Sequence, residues 1–249
     1  MFGRRVYLTL PGPGRALLCS HRYLPGKEQQ MPPISQRKLV VFDFDGTLVD
    51  SMPGIVATAR AVMHRHGWTD EELGDMSRLV GPPFPQAYSM VYGLSEAEAQ
   101  QVTEEYRAIY AGLGRDGWPL FEGMDALLGD LKAAGKLLGT ASSKREFLLR
   151  RGLETNGVLD LFDFPMAKLS DHGDSKEAAL GRALAAAGVD GSEAVMVGDR
   201  RFDAEAATSC GVECVGVLYG ATAPRSELES AGCAAIADTI DDLRRILLG

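Results

Sequence analysis

Lys38-Leu39-Val40-Val41-Phe42-Asp43-Phe44-Asp45-Gly46 (residues 38–46) places an apolar run directly before two carboxylates and a glycine. Such a run is typical of a strand buried in a parallel sheet, and ligands of open α/β sheets bind at the carboxyl ends of these strands. Side chains at i and i+2 point to one side, so Asp43 and Asp45 could converge on one substrate or ion. Gly46 would let the backbone bend sharply. The stretch indicates a catalytic loop, and a strand ending in a simple Asx turn is the alternative.

Four segments of the chain resemble the ordered motifs of the haloacid dehalogenase (HAD) superfamily of phosphohydrolases. The run 43–51, Asp-Phe-Asp-Gly-Thr-Leu-Val-Asp-Ser, is similar to the first motif. The segment 136–144 resembles the second, a strand that ends in Ser or Thr, and Lys176 at a helix start matches the third. The segment 194–203 resembles the fourth, a strand followed by Gly-Asp-x-x-x-Asp. Because the motifs are four and ordered, the resemblance is specific, and it extends from residue 38 to the C terminus.

Strand and helix patterns alternate after residue 38, which favours an α/β fold with a doubly wound parallel sheet. By resemblance this is a Rossmann-like HAD core. We predict strands near 38–43, 136–142, 163–167, 194–198 and 213–217, with a weaker one near 234–237. We predict helices near 123–134, 144–155, 175–187, 202–210, 224–231 and 239–248.

The region between the first two strands interrupts this alternation. From 53 to 118 the pattern is helical only, and Pro82-Pro83-Phe84-Pro85 is a break within it. The resemblance implies a small helical cap domain inserted after the first strand, as in the phosphoglycolate-phosphatase-like branch. We therefore predict a core domain at 37–52 and 119–249, a cap domain at 53–118, and a disordered extension at 1–36. Pro83 and Phe84 resemble the cap loop that faces the substrate; a rigid helix–helix turn is the alternative.

Composition limits the class of protein. A net charge of −8 argues against a nucleic-acid surface, and no segment reaches the apolar length of a membrane span. The four cysteines form no CxxC pair, which disfavours a disulfide framework or structural zinc site. We expect a cytoplasmic enzyme, monomeric or homodimeric, whose partner is a small-molecule phosphate ester rather than a nucleic acid or a membrane.

The resemblance implies catalytic roles for three residues. Asp43 would be the nucleophile that forms an aspartyl-phosphate. Asp45 would protonate the leaving group and then activate water. Lys176 would bind the phosphate and keep Asp43 ionised.

The resemblance also implies a Mg²⁺ site, since a cation would offset the charge of the carboxylates and the phosphate. Its ligands would be Asp43, the backbone carbonyl of Asp45, Asp199 and Asp203. For Asp203 the alternative is an acidic residue favoured at a helix N-terminus by the helix dipole.

Phosphate contacts are expected from the turns that follow two strands. Ser142 is the expected hydrogen-bond donor by resemblance, with Ser143 and Thr140 as contenders. Backbone amides after Asp45, in Gly46 and Thr47, would complete the phosphate cradle.

These expectations favour a Mg²⁺-dependent phosphomonoesterase that acts on a small phosphoglycolate-like ester. A sugar phosphomutase and a 5'-nucleotidase are alternatives, and a non-catalytic binding protein is a third. The segment 170–176 lacks the Lys-Pro-x-Pro-Asp form usual among the mutases, which weakens the mutase alternative. Asp45 argues against a dehalogenase, which normally lacks a second acidic residue.

Overall fold

A six-stranded parallel sheet forms the centre of the fold in the computed structural model, which describes residues 31–249. The strands are β1 (Leu39–Phe42), β2 (Leu137–Arg145), β3 (Phe164–Lys168), β4 (Ala194–Gly198), β5 (Glu213–Val217) and β6 (Ala235–Ala237). Their order is β3-β2-β1-β4-β5-β6, and every neighbouring pair is parallel. The predicted doubly wound α/β fold is confirmed.

Ten α-helices connect these strands in the described part of the chain. They are α1 (Met52–Arg65), α2 (Asp70–Leu73), α3 (Gln86–Tyr92), α4 (Glu96–Tyr110), α5 (Met124–Ala133), α6 (Glu146–Thr155), α7 (Lys176–Ala187), α8 (Arg201–Ser209), α9 (Arg225–Ser230) and α10 (Ile240–Leu248). Among the residues described, none of these helices has the length and apolar composition needed to cross a bilayer.

The strand residues alternate between two apolar cores, one on each face of the sheet. Val40 and Phe42 belong to the larger core, which includes side chains of α5, α6, α10 and the helices between β1 and β2. Leu39 and Val41 belong to the smaller core, formed with α7 and α8. All four residues are at most 1% exposed. Burial on both faces explains why β1 is apolar without interruption.

Helices α1 to α4 and the short turns between them form an insertion that follows β1. Aromatic rings run through it toward the sheet: Phe84, Tyr106, Tyr110 and Trp118 stand in successive contacts of 4.9 Å between ring centroids. The Trp118 indole donates to the Thr155 hydroxyl on α6 at 2.9 Å. The insertion is therefore packed against the remainder of the molecule, while its description as a separate cap domain stays a prediction.

Two boundaries differ from those expected. The strand β2 continues to Arg145, with a register irregularity after Ser142, whereas the sequence pattern predicted a helix from about 144. Ion pairs of Lys144 with Asp45 and of Arg145 with Asp171 hold this end extended. Of the extension predicted to be disordered, residues 1–30 lie outside the described part, whereas Ile34–Gln36 form a 3-10 turn.

Candidate active site

The register of the sheet brings the first and fourth sequence motifs together. Phe42 lies beside Val197, and the Asp43 backbone N–H donates to the Val197 carbonyl at 2.9 Å. Asp43 and Asp199 each follow the end of their strand, so their side chains share one edge of the sheet. This edge, at the carboxyl ends of parallel strands, is where α/β sheets bind ligands.

Lys176 joins the third motif to the other two. It is the first residue of α7, and its Nζ lies 2.6 Å from Asp43 Oδ2 and 2.6 Å from Asp203 Oδ1. Burial alone would lower the pKa of Lys176, but the carboxylates of Asp203 and Asp43 outweigh burial and raise it well above its ordinary value. Lys176 is therefore a fixed positive charge that holds Asp43 in place.

Three buried carboxylates cluster here, two of them in contact with this ammonium. Oxygen atoms of Asp43, Asp199 and Asp203 lie within 4.8 Å of one another. Burial, followed by repulsion from Asp203 and Asp43, raises the pKa of Asp199 to about 8. Burial also raises the pKa of Asp203, to about 6, although Lys176 opposes that shift. One ammonium does not balance the cluster, so its charge favours a proton or a further cation.

The acidic oxygens fit a hard divalent cation. Mg²⁺ prefers carboxylate oxygens and commonly uses only one or two carboxylates together with water and phosphate oxygens. Both oxygens of Asp203 are already hydrogen-bonded, one to Lys176 and one to the Arg200 backbone N–H at 3.0 Å. Asp203 lies in the first turn of α8, so the alternative of a charge at a helix N-terminus also matches its position.

Hydroxyl groups fix the orientation of Asp199. Thr47 donates to Asp199 Oδ1 at 3.0 Å, and Thr222 donates to Oδ2. Gly46 has a φ of +75°, and a Cβ atom there would clash with Asp199 Oδ2. Glycine at this position is therefore required both by the left-handed turn and by the approach of Asp199.

Asp45 is paired with Lys144 rather than with the carboxylate cluster. Lys144 Nζ lies 2.8 and 2.9 Å from the two Asp45 carboxylate oxygens. The ammonium also lies over the rings of Tyr110 and Phe44, at 4.7 and 5.3 Å from the centroids. The Lys144 side chain is only 6% exposed. A largely desolvated cation therefore holds the carboxylate of Asp45 at the edge of the site.

A cleft opens above these groups. Asp43 and Asp45 line it from the sheet side together with Ser142 and Ser143, and Pro83 and Phe84 line it from the insertion. The structure thus brings these predicted substrate-binding residues to one cleft. Gly46 and Thr47 do not line this cleft, and their backbone N–H groups, the expected phosphate donors, donate instead to the Val49 and Phe44 carbonyls at 3.0 and 3.4 Å. Thr140 is also engaged, donating to the Met166 carbonyl at 2.8 Å.

A second ionic group lies where the insertion meets the sheet. Arg107 on α4 forms two hydrogen bonds of 2.7 Å with the carboxylate of Asp171, in the loop after β3. Arg145 at the end of β2 donates to the same carboxylate at 3.2 Å. Arg107 and Arg145 both line the cleft that contains Asp43.

Sequence reasoning gave no role to Lys144, Thr222, Arg107 or Asp171. The position of Lys144 two residues after Ser142 was the available signal for the first of these. The others reach the site through contacts between distant parts of the chain, and no local pattern marks them.

Comparison with known proteins adds to this geometry. A family model described as haloacid dehalogenase-like hydrolase matches residues 40–217. The tyrosine-protein kinase PtkA of Mycobacterium tuberculosis is 37% identical over 214 residues, which cover 84% of this chain and 72% of that protein. The phosphoglycolate phosphatase of Rhodospirillum rubrum is 30% identical over 217 residues, covering 83% of this chain and 89% of that protein.

A solved structure agrees closely in fold. The crystal structure of a predicted phosphatase from Clostridium acetobutylicum has a TM-score of 0.80 and 29% sequence identity. The match covers 86% of this chain and 99% of that chain, so it includes the insertion as well as the sheet.

Proposed function

Because this chain belongs to the haloacid dehalogenase-like hydrolase family and is an enzyme of the phosphatase type, we propose that it is a Mg²⁺-dependent phosphomonoesterase. Its substrate would be a small phosphoglycolate-like ester, hydrolysed through an aspartyl-phosphate. One observation carries the proposal: Lys176 bridges Asp43 and Asp203 within a cluster of three buried carboxylates.

Asp43 acts as the nucleophile. A carboxylate oxygen attacks phosphorus, the bond from phosphorus to the ester oxygen breaks, and the phosphoryl group is held as an acyl phosphate. Asp43 is oriented for this step on both sides, since Oδ1 accepts the Phe44 N–H at 2.7 Å and Oδ2 accepts Lys176. Lys176 also offsets the charge that develops on the phosphoryl oxygens.

Asp45 moves the protons. Asp45 enters the cycle protonated and gives its proton to the departing alkoxide. It then takes a proton from the water that attacks the acyl phosphate, which restores the protonated Asp45 and regenerates Asp43. In the structure the Asp45 carboxylate is held by Lys144, so this ion pair must loosen when the leaving oxygen arrives. Lys144 is thereby a positioning residue for Asp45.

Mg²⁺ would be held by Asp43, Asp199 and the backbone carbonyl of Asp45, with Asp203 nearby. When bound, the ion supplies positive charge that reduces repulsion between the phosphate and the carboxylates. The threonine hydroxyls on Asp199 keep its oxygens aimed at the cluster.

The insertion selects the substrate in this proposal. Pro83 and Phe84 line the cleft opposite Asp43, where they can exclude water and contact the part of the ester beyond the phosphate. Ser142 and Ser143 are the proposed hydrogen-bond donors to the phosphate.

A second candidate function is phosphoryl transfer to tyrosine. The observation in its favour is the 37% identity to a protein named as a tyrosine-protein kinase. The two functions differ in the acceptor of the phosphoryl group, which is water in the first and a tyrosine hydroxyl in the second.

The test is a panel of small phosphate esters assayed for inorganic phosphate, with Mg²⁺ or with EDTA. The panel includes 2-phosphoglycolate, a nucleoside monophosphate, a sugar phosphate and p-nitrophenyl phosphate. We expect sustained phosphate release that needs Mg²⁺ and is highest for the smallest acid esters. Isomerised sugar phosphate without net release would support a mutase. Transfer of the γ-phosphate of ATP to a tyrosine peptide, with no hydrolysis of any ester, would overturn the proposal in favour of the kinase.

A further inference from the structure

Three cationic side chains surround one carboxylate beside the cleft. Arg107, Arg145 and Lys168 come from α4, β2 and β3, and the carboxylate is that of Asp171. Arg107 and Arg145 both hydrogen-bond to Asp171, whose side chain is only 7% exposed. We name the two guanidinium groups and this carboxylate the tail cluster; Lys168 lies close to it.

The charges of this region do not balance. Asp174, a nearby acid, is committed to Arg182 through two hydrogen bonds of 2.9 and 3.0 Å. Lys168 is 4% exposed and, within the described residues, has no carboxylate within ion-pair distance. Burial lowers the pKa of Lys168, although the carboxylate of Asp171 opposes this shift. Among Arg107, Arg145, Lys168 and Asp171 positive charge therefore exceeds negative charge, although the acids Glu177 and Glu205 also line the neighbouring hollow.

The tail cluster can reach the same bound molecule as the nucleophile. Arg107 and Arg145 line the cleft that also contains Asp43 and Asp45. Lys168 and Asp171 line a neighbouring hollow, together with Lys176. An ester whose phosphate lies at Asp43 can therefore extend its other end toward the two guanidinium groups.

We propose that Arg107 and Arg145 bind a carboxylate at the far end of the phosphate ester, and that Asp171 occupies this position when no substrate is bound. We choose a carboxylate because the group that Arg107 binds in the structure is itself a carboxylate, that of Asp171. Arg107 holds it by the paired hydrogen bonds typical of arginine and carboxylate. On displacement, the charge of Asp171 would be taken up by Lys168. This inference rests on the proposed phosphatase function and names the substrate class for it.

A purely mechanical role is the rival explanation. Arg107 and Asp171 join the insertion to the loop after β3, so their pair could be a latch that only holds the two parts together. The two explanations predict opposite effects on substrate binding when Asp171 is removed. Loss of either partner would break a latch in the same way, whereas a substrate site should be weakened by loss of Arg107 and strengthened by loss of the competing Asp171.

The experiment compares two non-hydrolysable ligands that differ only at the tail. Calorimetric titrations with Mg²⁺ use 3-phosphonopropionate, which carries a carboxylate, and propylphosphonate, which ends in a methyl group. The proteins are wild type, Arg107→Gln, Arg145→Gln and Asp171→Asn. Arg65→Gln, at an exposed arginine of the same insertion, is the charge-matched control. Thermal melts establish that each variant is folded.

We expect wild type to bind 3-phosphonopropionate about tenfold more tightly than propylphosphonate, the effect of one charge-assisted pair. Arg107→Gln and Arg145→Gln should bring this ratio toward one, Asp171→Asn should increase it, and Arg65→Gln should leave it unchanged. A wild-type ratio near one, or a fall in both Arg107→Gln and Asp171→Asn, would overturn the proposal. Tighter binding of ethane-1,2-diphosphonate than of 3-phosphonopropionate would overturn the choice of a carboxylate.

Hydrolysis of p-nitrophenyl phosphate, which has no anionic tail, separates this inference from the proposed function. Turnover by wild type together with equal binding of the two phosphonates would reject the tail cluster and keep the phosphatase. Absence of turnover of every ester would reject the phosphatase, and the binding ratio would still test the tail cluster by itself.

Discussion

Lys176 places one buried positive charge between the carboxylates of Asp43 and Asp203. A buried ammonium between two carboxylates is stabilising only when both partners are in place, because removal of one leaves a buried charge without compensation. The third carboxylate, Asp199, has no such ammonium partner among the described residues and relies on hydroxyl groups. The burial of Asp199 beside two other carboxylates gives the site a pH dependence.

The stability of the metal-free protein should depend on Asp199. Its pKa of about 8 lies above the ordinary value of 3.8, so its contribution to stability is full below about pH 4 and is lost as pH rises to about 8. In EDTA, we expect the melting temperature of wild type to fall between about pH 5 and pH 8 more steeply than that of Asp199→Asn. Mg²⁺ should remove the difference, because a cation replaces the proton. Equal slopes for the two proteins in EDTA would contradict this assignment.

Lys144 tests whether the orientation of Asp45 matters for turnover. Lys144→Met removes both hydrogen bonds to Asp45 while keeping an apolar side chain among the aromatic rings. We expect kcat to fall by about tenfold or more with a smaller change in KM, as for loss of a group that positions a proton donor. Lys132→Met, which removes a surface ion pair with Asp163, is the control and should retain wild-type kinetics. A change confined to KM would assign Lys144 to substrate binding instead.

At the level of helices and strands, the sequence predicted the sheet. It did not predict which distant residues the long side chains of the sheet would pair with. The apolar runs predicted the strands, and the resemblance of the four motifs to the HAD superfamily implied that Asp43, Asp199 and Lys176 would meet at one edge. The pairing of Lys144 with Asp45 joins residues 99 positions apart, and that of Arg107 with Asp171 joins residues 64 positions apart. Such pairs depend on how the insertion packs, for which strand and helix periodicity carries no information.

Phe84 tests the insertion as the element that selects the substrate. Its ring packs on Tyr106 and Tyr88 and lines the cleft. Phe84→Ala should change kcat/KM ratios among the natural esters by about tenfold, the range found when an apolar pocket changes size. Turnover of p-nitrophenyl phosphate should change less. Met90→Ala, at a 65% exposed position of the same insertion, should alter neither. An equal loss for all substrates in Phe84→Ala would argue against substrate selection by this loop.

Across the molecule, the sheet side lines the cleft with Asp43, Asp45 and Ser142, and the insertion lines it with Pro83 and Phe84. The sequence was sufficient for the α/β class because each buried strand is an apolar run between helical patterns. It was insufficient for the end of β2, where ion pairs extend the strand into a segment with a helical pattern. It also left the substrate open, because the residues that we propose to bind the ester's far end, Arg107 and Arg145, come from separate elements.

The assignment on which the proposed chemistry depends most is that of Asp43 as the nucleophile of a Mg²⁺-dependent phosphatase. It is tested by phosphate release from the best ester of the panel, measured for wild type and Asp43→Asn with Mg²⁺ and with EDTA. We expect turnover by wild type only with Mg²⁺, and none by Asp43→Asn although circular dichroism shows it to be folded. Substantial Mg²⁺-dependent turnover by Asp43→Asn would refute the assignment.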